Sequence, residues 1–81
     1  MTNIRMYKLN LDNLGDIELI SQQQYIKALG LSQDYINKVF NEKLAVKLST
    51  AKCIISLAYN ISVRDNEQMK ELLEKHFTIV K

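Results

Sequence analysis

The chain has 81 residues, of which 47% are hydrophobic and 25% charged, and its formal net charge is +2. This length suits one small domain, and the composition and net charge place the chain outside the disordered and nucleic-acid-tail classes. The longest apolar runs span three residues, and residues 1–20 lack the basic and then apolar pattern of a secretion signal. We therefore expect a cytoplasmic globular protein without a membrane span.

The titratable residues argue against an enzyme, because the chain has one histidine and one cysteine. Neither a nucleophile with a base nor a set of metal ligands can be assembled from them. His76 lies near the end of a predicted helix, where an imidazolium would favour the negative end of the dipole. Cys53 lies among apolar residues, as an inert buried thiol does. Gly15 and Gly30 are too few for a phosphate-binding loop. We expect no catalysis, cofactor or metal.

The two terminal segments predict strands. Residues 4–10 alternate apolar and polar side chains, and Phe77–Val80 is rich in β-branched residues. The second segment can pair with the first or with a second subunit. Between residue 10 and residue 20, Leu11, Leu14 and Ile17 can line a short helix or lie in a loop.

Two short helices are predicted next. Ser21 caps the first, Gly30 ends it in the left-handed conformation, and Ser32 caps the second. The apolar positions that we expect to face inward are Tyr25, Ile26 and Leu29 on the first helix and Ile36, Val39 and Phe40 on the second. Three residues separate the two helices, which is the pattern of a helix-turn-helix.

A third helix from Ser49 is apolar around most of its circumference and should be the most buried element. A fourth begins near Asp65, with Gln68 at the capping-box offset. The inward positions are Ala51, Ile54, Ile55, Leu57, Ala58 and Ile61 on the third helix and Met69, Leu72, Leu73, His76 and Phe77 on the fourth. The predicted fold class is mainly α, with four to five short helices and a small β pairing between the terminal segments. It forms one domain, 1–81, with an N-terminal extension (1–20), a helix-turn-helix core (21–63) and a C-terminal helix and tail (64–81).

The second predicted helix carries a polar face that suits base recognition. Gln33, Asn37 and Asn41 form one i, i+4 stripe, and Asp34 and Lys38 form a second beside it. Amide side chains pair bidentately with adenine, whereas a face made only for solubility is usually rich in Lys and Glu. The alternative is a solvated face that happens to be rich in amides.

The positive charge is concentrated around this helix. Residues 21–52 carry +3, while residues 1–20 sum to −1 and residues 53–81 to zero. Lys43, Lys47 and Lys52 are predicted in the following loop and helix start, where they can reach phosphates. The helix starts at Ser21 and Ser49 can also face phosphates.

Residues 21–43, SQQQYIKALGLSQDYINKVFNEK, resemble the helix-turn-helix of the lambda-repressor-like (Cro/C1, XRE) family. The resemblance is carried by Gly30, Leu31-Ser32, Tyr35-Ile36 and the downstream helix, and it covers residues 21–63. Two departures are Ile26, where alanine is usual, and Asn41-Glu42, where a loop glycine is usual. They predict a more splayed helix pair.

The resemblance implies roles for individual residues. Gln22 matches a glutamine that touches phosphate, Gln33 matches one that reads adenine, and Tyr35 matches an aromatic near the DNA backbone. Together with the charge pattern, these matches give two sets of predicted DNA contacts. The base-reading set is Gln33, Asp34, Asn37, Lys38 and Asn41, and the backbone set is Ser21, Gln22, Gln23, Ser32, Tyr35, Lys43, Lys47 and Lys52.

Two functions follow from this interpretation. The first is a DNA-binding transcriptional regulator, a repressor of a phage or mobile element, acting as a homodimer on a pseudo-palindromic site. The predicted dimer contacts are Phe77, Ile79 and Val80, because so small a chain has little left to cover them. The second is a protein-interaction module on the same scaffold, such as an antirepressor, an antitoxin or a phage inhibitor of a host defence nuclease.

Overall fold

The computed structural model describes residues 5–41 and 44–80. Within them it contains four α-helices, one 3₁₀-helix and one three-stranded antiparallel sheet, which confirms the predicted fold class. The elements are β1 (Met6–Leu9), the 3₁₀-helix (Gly15–Leu19), α1 (Gln22–Leu29), α2 (Gln33–Asn41), β2 (Val46–Lys47), α3 (Leu48–Tyr59), α4 (Asn66–His76) and β3 (Phe77–Val80). No helix of the described residues is both long and apolar enough to cross a membrane.

The sheet joins the two ends of the chain, in the strand order β2-β1-β3. Tyr7 lies opposite Ile79 and Leu9 opposite Phe77, so the predicted pairing between the terminal segments is confirmed. The two-residue strand β2 was not predicted, because so short a segment has no periodicity to read. Alternate residues point to opposite faces, and the inner face carries the buried side chains of Tyr7, Leu9, Val46 and Phe77.

The predicted caps of α1 and α2 are present. The Ser21 hydroxyl accepts from the Gln24 backbone N–H at 3.3 Å, and the Gln24 side chain accepts in return from the Ser21 N–H at 3.1 Å. This is a complete capping box, of which only the Ser21 cap was predicted from the sequence. Gly30 ends α1 with φ +67° in the left-handed region, where a side chain is strained. The Ser32 hydroxyl caps α2 by accepting from the Tyr35 N–H at 3.1 Å.

Helix α3 crosses the centre of the molecule, as predicted, and Ala51, Ile54 and Ile55 are fully buried. Tyr25 of α1 is also fully buried, and its hydroxyl donates to the Ile17 carbonyl at 2.9 Å. Burial raises the pKa of the Tyr25 phenol well above its usual value, and nearby Tyr59 raises this pKa further. Tyr25 therefore stays a neutral hydrogen-bond donor in the core.

His76 lies at the end of its helix and faces inward, as the sequence predicted. It is fully buried at the last residue of α4, and its Nδ1 lies 2.7 Å from the Asn13 carbonyl oxygen. Because a carbonyl only accepts, Nδ1 donates this hydrogen bond, and Nε2 is hydrogen-bonded to the Tyr59 hydroxyl 2.5 Å away. The His76 imidazole thus joins α4, α3 and the loop after β1.

Candidate nucleic-acid interface

The turn between α1 and α2 positions the second helix. The Gly30 N–H donates to the Ile26 carbonyl at 3.0 Å, so the chain leaves α1 within one residue. Ser32 then starts α2 on a new axis. On the inner side of α2, Ile36 and Val39 are fully buried, and the Phe40 ring lies 5.3 Å from the Tyr25 ring. These contacts fix the rotation of α2 about its own axis.

With that rotation fixed, the polar face of α2 points to solvent. All five predicted base-reading residues are exposed: Gln33, Asp34, Asn37, Lys38 and Asn41. No other part of the described structure covers this face. The expectation that it is free of the hydrophobic interior is therefore confirmed, although exposure alone leaves the DNA contact itself a prediction.

The exposed face is partly paired within itself. The Lys38 ammonium lies 3.3 Å from the Asp34 carboxylate, as the i, i+4 spacing allows. One turn further, the Asn41 amide donates to the Asn37 Oδ1. Four of the five residues in the two stripes read from the sequence thus form two pairs, one charged and one neutral. This pairing makes the face nearly uncharged.

The predicted backbone contacts on α1 and the turn lie at the starts of the two helices. Ser21 and Gln23 are exposed and Gln22 is half-buried at the beginning of α1. Ser32 is exposed, and its hydroxyl hydrogen remains available while its oxygen caps α2. Tyr35 is half-buried against the core, which leaves part of its ring at the surface.

The three predicted phosphate-binding lysines do not form one group in the described structure. Lys43 lies outside the described residues. Lys47 was predicted in a loop, but it is in β2 opposite Met6, exposed on the outer face of the sheet. Lys52 lines a groove beside α4, on a different flank of α3 from Ser49 and Cys53, which face the end of α1. Sequence position alone could not separate these flanks, because it does not give the rotation of α3.

The predicted dimer contacts need one correction. Phe77 is not left uncovered by the small chain: it begins β3 on the inner face of the sheet and is only 4% exposed. It is therefore a core residue. Ile79 is 44% exposed and Val80 is half-buried, so these two remain accessible.

A second surface went unnoticed in the sequence. Arg5 from the N-terminal segment, Lys52 from α3 and Lys70 from α4 line the same groove, together with apolar residues of the sheet. These residues are far apart in the sequence and meet through the packing of α4 against α3 and the antiparallel pairing of β1 with β3. No local signal could have found this site.

The described residues show no cluster of metal-ligating side chains. They contain no group of three or more His, Cys, Asp or Glu side chains that could hold a metal ion. They also contain no buried side-chain nitrogen or oxygen that lacks a hydrogen-bond partner. His76 makes its hydrogen bonds within the protein, and Cys53 is a free, half-buried thiol.

Comparison with known proteins gives no relative: no family model, no curated protein and no solved structure matches this chain.

Proposed function

We propose that this protein is a sequence-specific DNA-binding regulator that reads the major groove with α2. The observation that carries the proposal is the shared exposure of the five polar residues of α2, on a helix whose opposite side is held in the core by Ile36 and Val39. A helix that follows a tight turn and presents polar side chains outward has the shape that fits the major groove. Among the lysines of residues 21–52, Lys38 lies on this face and can contact a phosphate, whereas Lys47 and Lys52 lie on other surfaces and do not bear on this orientation.

The amides on this face have the chemistry to read adenine. An amide oxygen accepts from adenine N6 while its nitrogen donates to N7. The Asn41 amide donates to Asn37 Oδ1, which leaves one lone pair on that oxygen and both Nδ2 hydrogens of Asn37 for a base. Gln33 begins α2 and is exposed, so it can make the same bidentate contact one turn earlier. Two successive amide readers would favour a site rich in A·T pairs.

The charged pair on α2 does not prevent DNA binding. Exposed ion pairs such as Lys38 with Asp34 contribute about 0–1 kcal/mol, so the lysine can leave its partner for a phosphate. The Asp34 carboxylate can accept from cytosine N4 but repels nearby phosphates. We therefore expect Asp34 to influence which sequence is chosen more than how tightly DNA is bound.

The proposed biological role is repression in a phage or mobile element, by a homodimer on a pseudo-palindromic site. One small module buries little DNA, whereas two copies of α2 one helical turn apart, about 34 Å, would supply more contacts. Light scattering tests the dimer separately from DNA binding. A mass of twice the chain at tens of micromolar supports it, and a monomer mass rules it out.

A mobility-shift assay at low salt tests the DNA proposal. The purified protein is mixed with a library of genomic fragments, in parallel with Gln33→Ala/Asn37→Ala. The matched control is Gln68→Ala, which removes an exposed glutamine from α4. We expect the wild type and the control to retard a small set of fragments that the double variant does not select. Absence of retardation with every fragment would overturn the proposal.

A further inference from the structure

A groove of about 570 Å³ runs between β3 and α4. Its floor is apolar and formed by Tyr7, Met69, Leu73 and Phe77, each no more than 9% exposed. Two of the five exposed large hydrophobic side chains of the described residues, Leu48 and Ile79, border it. The volume of this groove lies in the range of cavities that hold ligands. Because its border is formed by exposed apolar side chains, part of its apolar surface is in contact with water.

The groove follows an open edge of the sheet. β3 is an outer strand, and the Asn10 N–H donates to the His76 carbonyl at 2.7 Å at one end of its ladder with β1. In an antiparallel ladder, bonded and non-bonded pairs alternate, so Thr78 and Val80 direct their backbone groups to β1. The Ile79 N–H and carbonyl and the Phe77 carbonyl then point away from β1. The Phe77 N–H is already used, because it donates to the Leu73 carbonyl.

These outward groups have the arrangement that an added strand requires. They comprise one donor and one acceptor on Ile79 and one acceptor on Phe77, two residues before it, and the apolar floor of the groove lies beside them. An extended peptide placed there would continue the sheet, and its alternate side chains would enter the groove. Exposed sheet edges of this kind are pairing sites unless they are covered.

The charge of the lining indicates which peptide fits. Arg5, Lys52 and Lys70 line the groove, against one carboxylate, that of Glu74. An occupant with acidic residues would therefore be favoured over a neutral or basic one. A second copy of this chain would present Phe77–Val80, a segment without charged side chains, and so would place no carboxylate beside these three cations. DNA would use the cations but neither the apolar floor nor the strand edge.

We infer that this groove binds an extended acidic peptide segment of a partner protein, which adds to β3 as a fourth strand of the sheet. Apolar side chains of the segment enter the groove above Met69 and Phe77, and flanking acidic residues lie near Arg5, Lys52 and Lys70. None of the α2 residues lines this groove, so the inference does not depend on DNA binding. The protein would then carry two separate surfaces, one for DNA and one for a partner protein. The proposed homodimer would have to form away from Ile79 and the open edge of β3.

Fluorescence anisotropy with the full chain and three designed peptides tests the inference. The probe has a Thr-Val-Thr-Val-Thr centre and a glutamate pair at each end. The charge control has lysine pairs instead, and the edge control is the acidic probe with N-methyl groups at alternate backbone nitrogens. We expect saturable binding of the acidic probe and an affinity about tenfold or more lower for both control peptides. The lysine pairs of the charge control are repelled by the cations of the groove, and methylation in the edge control removes the ladder hydrogen bonds.

Protein variants locate the site. Lys70→Glu should weaken binding of the acidic probe by about threefold to tenfold, because it replaces attraction at the groove by repulsion. The matched control is Lys75→Glu, an exposed lysine of the same helix that does not line the groove. Retarded DNA fragments should be unaffected by Lys70→Glu, which separates this inference from the DNA proposal. Should Lys70→Glu fail to fold, the methylated peptide and NMR shift mapping on the wild type still decide.

Four results would overturn the inference. The first is absence of acidic-probe binding up to about 1 mM, a concentration at the weak end of specific affinities. The second is equal binding of the methylated peptide and the acidic probe. The third is a set of NMR shifts centred on α2 instead of β3 and α4, and the fourth is self-association of the chain that excludes the probe. The last result would assign the same edge to a second copy.

Discussion

The helix-turn-helix half of this protein, residues 21–41, differs from the half built by β1, β3 and α4 in how its structure is specified. In the first half each feature is local: the Ser21 capping box, the left-handed Gly30 and the Ser32 cap lie within a few residues of the bonds they make. In the second half the features are distant in sequence, as in the contact of His76 with Asn13. The first half exposes its polar side chains, whereas the second buries a polar residue and leaves an apolar groove open. Contacts between neighbouring residues therefore form the polar surface of α2. Contacts between residues distant in sequence stabilise the fold and also form the groove.

Removal of His76 should have the largest effect on folding. His76→Ala leaves a cavity and deprives the Asn13 carbonyl and the Tyr59 hydroxyl of their partner, so we expect a loss of about 3 kcal/mol. Urea denaturation measures this loss. The control is Lys75→Ala, the exposed neighbour on the same helix. Equal stability of the two variants would contradict the central position assigned to His76.

Substitutions on α2 should do the opposite, with a large effect on DNA and little on folding. Gln33→Ala and Asn37→Ala should each weaken binding of the preferred DNA by about 1–3 kcal/mol, because each removes a bidentate contact. Their stability should change by no more than about 0.5 kcal/mol, since both side chains are exposed. Titration by anisotropy and urea denaturation measure the two quantities, with Gln68→Ala as the control. A variant at Gln33 or Asn37 that loses folding stability but keeps its affinity for the preferred DNA would contradict this prediction.

The two glycines differ in how much space the fold leaves for a side chain. Both have positive φ, +52° at Gly15 and +67° at Gly30. An added Cβ at Gly15 would lie 3.0 Å from His76 Cε1 and 3.2 Å from the Tyr59 oxygen, whereas one at Gly30 meets nothing within 4 Å. We expect Gly15→Ala to cost about 2 kcal/mol and Gly30→Ala about 1 kcal/mol, the latter from backbone conformation alone. Thermal denaturation of both variants gives the order, and a larger loss for Gly30→Ala would contradict it.

The smallest effect is expected from a single phosphate contact. Lys43→Ala should weaken binding to all DNA sequences alike and lower the slope of log affinity against log salt by about 1. Anisotropy titrations at several salt concentrations measure the slope, and Lys75→Ala is the control. A change confined to one DNA sequence would assign Lys43 to base reading instead.

The sequence predicted those parts of the fold that depend on neighbouring residues. The starts of α1 and α2, the end of α1 at Gly30 and the inward positions of α2 all follow from capping chemistry and helical spacing. Pairing of the terminal segments was predicted from β-branched and alternating patterns. The two-residue β2 was not predicted, because it depends on which strand lies opposite. The sequence assigned Phe77 both an inward position and an uncovered one, and the pairing of β3 with β1 decides for burial.

The candidate sites divide in the same way. Exposure of Gln33 and Asn37 was predictable, since the apolar residues of α2 fix which side faces inward. The place of Lys52 was not, because it depends on how α3 is rotated against α4. The cationic groove was missed for the same reason: Arg5, Lys52 and Lys70 come from three separated segments. Its assembly required the sheet that joins the two ends of the chain.

Selection from a genomic-fragment library, read by sequencing, tests the central claim most directly. The wild-type protein and Gln33→Ala/Asn37→Ala are put through the same selection at the same salt concentration. We expect the wild type to enrich one sequence motif and the double variant to lose the preference at the positions that the two amides read. Enrichment of the same motif by both proteins, or of no motif by the wild type, would contradict base reading by α2.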